Sequence, residues 1–437
     1  MRSDIAGSSS MDPRLTEVDV SRGVQAPDLR LFVFALFFVF GGITSLNDVI
    51  IPKLKELFTL TYGEVMLVQS AFFAAYFFMS LPSAALVRRC GYMRGAALGL
   101  LTMTAGCLLF VPASSSAQFG LFLSALFVLA SGITLVQVVA NPLISLLGPP
   151  ATAHSRLTFA QAFNSLGTTV FPYIGSILIL GSLATVDVKS LSGAALAAYR
   201  TAETHMVVRT YLGLAVVLVL VAAVVWSRRN RLHEHSAAAN SNILHAFDLL
   251  KQPRFGMGAL CIFLYVGAEV AIGSLIVNYL MQANVLGLSQ EQAGKHIPLY
   301  WGGALIGRFI GAGVLRLLSP GKVLAFAATV AILLLTLSAN SRGAVCAYAL
   351  LGIGLFNSIM FPTIFSLACE GLGTRAAEGS GVICVAIVGG AVIPPLTGTV
   401  ADRTTLSFAL IVPAMCYAMI VAYGLYARRP RAATQTP

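Results

Sequence analysis

Leu31–Pro52 reads LFVFALFFVFGGITSLNDVIIP, an apolar run that meets an acid, Asp48, before its helix can end. At the usual helical rise, Asp48 stands about 26 Å along from Leu31, within the reach of a hydrocarbon layer roughly 30 Å thick. A charge near a bilayer centre costs about 2.5–3.5 kcal/mol on insertion scales, so such acids face a bundle interior or a watered path. The alternative places Asp48 at the outer rim, beside Lys53 and Lys55. A second acid at similar depth in the other half, Glu269 in GAEVAIGS at 267–274, favours the interior path.

Composition sets the solvent. The chain has 437 residues, 57% hydrophobic and only 10% charged, where a soluble protein carries about a quarter charged residues. The surplus apolar surface must face lipid. The net charge of +11 comes from basic residues at helix ends rather than along one stripe, which excludes a nucleic-acid partner. Cys90, Cys107, Cys261, Cys346, Cys369, Cys384 and Cys416 stand apart, without a CxxC pair, and read as small buried hydrophobes. No HExxH, nucleophile elbow or phosphate-cradling loop occurs, so no enzyme, metal site or organic cofactor is expected. Residues 1–30 lack the apolar core of a signal peptide and read as a disordered cytoplasmic tail.

Segments long enough to cross as helices recur at 31–57, 64–87, 95–113, 118–147, 156–182, 206–227, 255–283, 293–318, 321–339, 343–370, 377–401 and 405–427. The polar, basic linker at 228–254 divides them into six-helix bundles at 31–227 and 255–427, with a second tail at 428–437. The expectation is an all-α membrane protein of twelve transmembrane helices. With both termini cytoplasmic, 19 basic residues fall inside, 8 outside, and Arg308 within the eighth span; this is the positive-inside bias of a bacterial inner membrane protein. The halves echo each other at offsets of 220–228, pairing Asp48 with Glu269, Gln137 with Asn357 and Pro142 with Pro362, as in transporters built from repeats.

Chemistry rests on polar side chains inside apolar helices: Asn47, Asp48, Gln137, Asn141, Gln161, Asn164, Glu269, Asn278, Tyr300, Trp301 and Asn357. Amides donate and accept at once, which suits the hydroxyls of a sugar. Trp301 offers a flat apolar face with a polar edge, which suits the C–H face of a pyranose. Interhelical pairing is the structural alternative for each amide. Gly311-Ala312-Gly313 and Gly352-Ile353-Gly354 read as close helix packing. Pro142, Pro172, Pro362, Pro394 and Pro395 are expected to kink or weaken their helices.

Asn47–Pro52, the turn Arg89-Cys90-Gly91-Tyr92, Ala140-Asn141-Pro142, RLTFAQAFNSLG at 156–167 and FPTIFSL at 361–367 resemble the fucose/glucose/galactose permeases, sugar:cation symporters of the major facilitator superfamily. The resemblance runs from about residue 31 to 425. It implies two six-helix bundles working by alternating access, Asp48 as proton carrier, and Gln161 and Asn164 at the sugar site. Where the fucose permease pattern has a glutamate, this chain has Gln137, which cannot release a proton. Glu269 resembles the glucose/galactose branch and is the candidate second acid. The expected function is proton-coupled uptake of a neutral hexose, glucose or galactose, by a monomer in lipid, with Asn47, Gln137, Asn141, Gln161, Asn164, Asn278, Trp301 and Asn357 as sugar ligands. Sodium coupling, and a drug or lipid exporter of the same fold, are the alternatives.

Overall fold

The computed structural model describes residues 27–58, 62–116, 118–175, 193–230 and 243–429. The first half comprises α1 (Pro27–Phe58), α2 (Tyr62–Cys90), α3 (Tyr92–Ser116), α4 (Phe119–Leu146), α5 (Ala153–Gly175) and α6 (Gly193–Ser227). The second comprises α7 (Pro253–Leu280), the single-turn α8 (Gln290–Gly294), α9 (Ile297–Leu317), α10 (Pro320–Asn340), α11 (Gly343–Asn357), α12 (Met360–Cys369), α13 (Ala376–Ala386), α14 (Gly389–Arg403), α15 (Leu406–Ala409) and α16 (Ile411–Tyr426). The last three spans are each two helices in line: α11 with α12, α13 with α14, and α15 with α16. The described chain is therefore a twelve-span all-α membrane protein.

Three boundaries differ from expectation. The first helix starts at Pro27, inside the tail expected at 1–30, whose first 26 residues lie outside the described ones. The linker expected at 228–254 holds a 3-10 helix, Ile243–Lys251, because Ala246 and Leu249 find apolar cover there. α6 begins at Gly193, well before residue 206, because its first turns are only moderately apolar and fall short of a hydropathy signal.

Packing separates lipid from interior. Val216, Leu220 and Val224 recur every four residues on α6 and are exposed, the pattern of a lipid-facing stripe. Within the first half, α1 lies against α5 through glycines. A Cβ on Gly167 would stand 2.1 Å from the Phe38 carbonyl oxygen, and one on Gly41 would stand 2.3 Å from Nδ2 of Asn164. In the second half, Gly307 and Gly354 set the α9–α11 seam: a Cβ on Gly354 would lie 2.1 Å from the Tyr300 carbonyl. Small residues at such crossings let backbones approach where lipid offers no hydrophobic drive.

Pro142 and Pro172 lie inside the continuous helices α4 and α5, and Pro394 and Pro395 inside α14. Pro362 behaves differently. It falls in the first turn of α12, where helical N–H groups have no partner to lose, and the span breaks at Ser358 and Ile359 just before it.

One end of the molecule carries the cluster Arg30, Arg88, Arg94, Arg156, Arg254, Arg316, Lys322 and Arg375. There the α4–α5 turn is held by guanidinium groups. Arg30 Nε donates to the Leu147 carbonyl at 2.7 Å. Arg156 donates to the carbonyls of Ser145 at 2.7 Å, Pro149 at 2.8 Å and Gly148 at 3.2 Å. These are the carbonyls a helix C-terminus leaves unbonded. Gly148, at φ +135°, supplies the turn. Arg156→Leu should therefore lower the melting temperature of detergent-solubilised protein, through a loss of about 2 kcal/mol or more. Arg156→Lys should recover only part, since a single ammonium cannot span that set of acceptors; an unchanged melting temperature in Arg156→Leu would contradict the role.

Candidate functional site

α4 presents Gln137 and Asn141 one turn apart, both buried. Tyr76 of α2 donates to Oε1 of Gln137 at 2.8 Å. Gln161 of α5 reaches Oδ1 of Asn141 at 3.4 Å through Nε2, while Nδ2 of Asn141 is buried without a partner. Asn164 Nδ2 donates to the Phe37 carbonyl at 3.3 Å, which ties the same face of α5 to α1. Four of the expected amides thus lie on α4 and α5, with Asn141 and Gln161 bonded to each other. Asn47 and Asp48 belong to the helical run of α1, but their side chains lie outside the described residues.

In the second half, Glu269 lies on α7 and Trp301 on α9. Glu269 is part-buried, and the Tyr265 hydroxyl lies 2.8 Å from its carboxyl oxygen and 2.9 Å from the Asn357 carbonyl. One hydroxyl proton cannot serve both acceptors fully. A protonated Glu269 completes both bonds by donating to Tyr265, which then donates to Asn357. Trp301 is half-exposed, stacked edge-on against Tyr300 with centroids 5.1 Å apart. Its Cζ2 lies 3.4 Å from where a Cβ on Gly273 would stand, one turn beyond Glu269.

Two expected ligands sit elsewhere. Asn357 is completely buried and already bonded: its Nδ2 donates to Tyr300 at 2.8 Å and its Oδ1 accepts from Tyr417 at 2.7 Å. It joins α11 to α9 and α16, and both ends of its amide are taken up within the second half. Asn278 is exposed near the end of α7, two turns past Glu269 and outside the hydrogen-bonded set.

Sequence reading passed over the groups that hold the two halves together. At the basic end, Ser155 Oγ donates to the Ala312 carbonyl at 2.6 Å and accepts from Arg316 Nε at 3.2 Å. His154 Nδ1 hydrogen-bonds Ser366 Oγ at 2.6 Å. Arg88 pairs with Glu378, which also takes Arg375 at 2.7 Å. Deeper in, Arg308 of α9 donates from Nη1 to the Gln161 carbonyl at 3.0 Å and to Ser165 Oγ. The signal available was Arg308 itself, a lone cation inside a span, which demands a partner. These hydrogen bonds between the halves lie from Ser165 toward the basic end, so the structure is closed there.

Such a site, a polar seam between two helical halves closed at one end, belongs to a membrane carrier rather than an enzyme. Residues 33–393 match the Major Facilitator Superfamily, and the chain belongs to that family. It is 46% identical over 390 residues to the glucose/galactose transporter of Brucella abortus biovar 1, covering 89% of this chain and 92% of that one. It is 32% identical over 400 residues to the L-fucose-proton symporter of Escherichia coli K12, covering 90% and 91%. Among solved structures, the transporter FucP in the outward conformation superposes with a TM-score of 0.83 at 31% identity, over 91% of this chain and 98% of that one.

The two displaced amides make a paired test. Asn357→Leu strands the Tyr300 and Tyr417 hydroxyls and should cost about 1–3 kcal/mol for each buried group left unbonded. Asn278→Leu should leave the thermal midpoint in detergent within error. Equal midpoints for the two variants would contradict the placement of Asn357.

Proposed function

We propose that this chain carries a neutral hexose, glucose or galactose, inward across the bacterial inner membrane, driven by protons. The basic end is the cytoplasmic end by the charge bias, with both termini there and the chain acting as a monomer in lipid. Closure at that end then corresponds to an outward-facing carrier, ready to take sugar from outside. The observation that carries the reading is the bond from Arg308, on the half that bears Glu269 and Trp301, to the Gln161 carbonyl of the amide-bearing α5. Gln137, Asn141, Gln161 and Asn164 would meet hydroxyls, Trp301 the apolar ring face, and the unpaired Nδ2 of Asn141 supplies a donor without competition. The names of the Brucella and Escherichia relatives point to the same substrate class.

Asp48 and Glu269 are the proposed proton carriers. Gln137 has no acidic proton to release, so the second acid lies in the other half of this chain. The Tyr265 bond count favours a protonated Glu269 in the outward-facing state. Sugar binding would bring the two surfaces together and shift the carrier toward its inward-facing form, since a ligand shifts a two-state equilibrium only through its different affinity for the two states.

Proteoliposomes test this directly. An acid-outside gradient should drive accumulation of labelled glucose or galactose, and a sodium gradient at constant pH should not. Asp48→Asn should abolish accumulation while sugar exchange at equilibrium persists. Accumulation under sodium alone would replace the proton, and undiminished proton-driven accumulation in Asp48→Asn would remove Asp48 from the account.

A further inference from the structure

Pro362 has no N–H, so the Ser358 carbonyl four residues before it cannot make the usual helical bond. Arg308 Nε donates to that carbonyl at 3.2 Å. The same guanidinium crosses to the other half, where Nη1 meets the Gln161 carbonyl and Ser165 Oγ. Nη2 has no described hydrogen bond. Gly307 and Gly311, flanking Arg308, permit this reach. A Cβ on Gly307 would lie 2.4 Å from Ser358 Oγ, and one on Gly311 would lie 2.1 Å from Ile359 Cγ2. The break in the tenth span, the α9 backbone and the amide-bearing face of α5 therefore meet at one cation.

We infer that Arg308 is the latch of the cytoplasm-closed state, a positioning residue whose bonds to Gln161 and Ser165 must break before α5 and α9 can part. This rests on the reading of α5 as the sugar-facing helix. The contacts nearer the cytoplasm, Ser155 with Arg316 and His154 with Ser366, close the mouth. Arg308 stands at the level of Gln161, so it is the closing contact that a bound sugar can disturb. A guanidinium released in a low-dielectric interior needs another acceptor. Glu269, on the same half and within electrostatic reach of Arg308, is the carboxyl that can receive it. The latch would then be held by α5 in the outward-facing form and by Glu269 in the inward-facing form.

The test is a distance measured on the full chain in nanodiscs, with neither sugar nor ion gradient present, so that it can fail separately from the transport proposal. Spin labels at the exposed positions Ala151 and Leu318 span the α5 and α9 ends of the cytoplasmic mouth. Arg308→Leu should raise the ratio of the long-distance to the short-distance population by about tenfold, and Arg308→Lys should restore part of the short population. Ser165→Ala removes one acceptor and leaves the guanidinium in place, so it should shift the same ratio in the same direction by a smaller factor. It also guards against failure of Arg308→Leu to fold. A folded Arg308→Leu with the native distance distribution, or a Ser165→Ala that shifts nothing, overturns the latch.

Discussion

Lipid accepts no hydrogen bonds, and every polar group in this chain that cannot face water has to find its partner in protein. That constraint explains why the amides, the acid Glu269 and the cation Arg308 gather on one seam between the two halves. It also explains the order within the seam. The carbonyl that Pro362 leaves without an amide is taken by Arg308, and the neighbouring Asn357 carbonyl is taken by Tyr265. A helix broken at membrane depth is tolerated because side chains of α7 and α9 complete its backbone. The break, in turn, places two polar side chains where they meet the acid and the opposite half.

Hydropathy made the twelve spans legible, and the polar residues inside them are informative for that reason. Ten described helices or helix pairs pass a simple length-and-hydropathy criterion for crossing a membrane. α9 falls outside it and carries Arg308, and it lies against the part of α5 that carries Gln161, Asn164 and Ser165. The polar residues that weaken the membrane signal are the ones that build the seam. The glycine pairs were half readable: Gly311 and Gly354 sit at close helix crossings, as expected of small residues in lipid, whereas Gly313 and Gly352 have room for a side chain.

Other features could not be read from one chain. A buried amide looks the same in sequence whether it awaits a ligand or joins three helices, and Asn357 does the second. Asn278 shares the residue type of the site but falls on an exposed face near a helix end, a matter of rotation about α7 that composition does not record. Proline gave the opposite lesson. Pro142 and Pro172 leave their helices continuous, whereas Pro362 sits just after a break, so the residue alone does not decide the geometry. Arg308 stood out as a charge inside a span, yet its two acceptors on α5 depend on packing between halves.

The central claim is that one face of α5 borders an aqueous path open to the outside, while its opposite face meets lipid. Single cysteines placed along α5 in a chain without its native cysteines, treated with a membrane-impermeant thiol reagent on intact cells, measure that face by face. Positions 161 and 164 should react from outside and be protected by glucose or galactose, while position 166, at the exposed Leu166, should stay unreactive. Reaction of position 166 to the same extent as 161 and 164, or reaction of 161 and 164 only from the cytoplasmic side, would contradict the account.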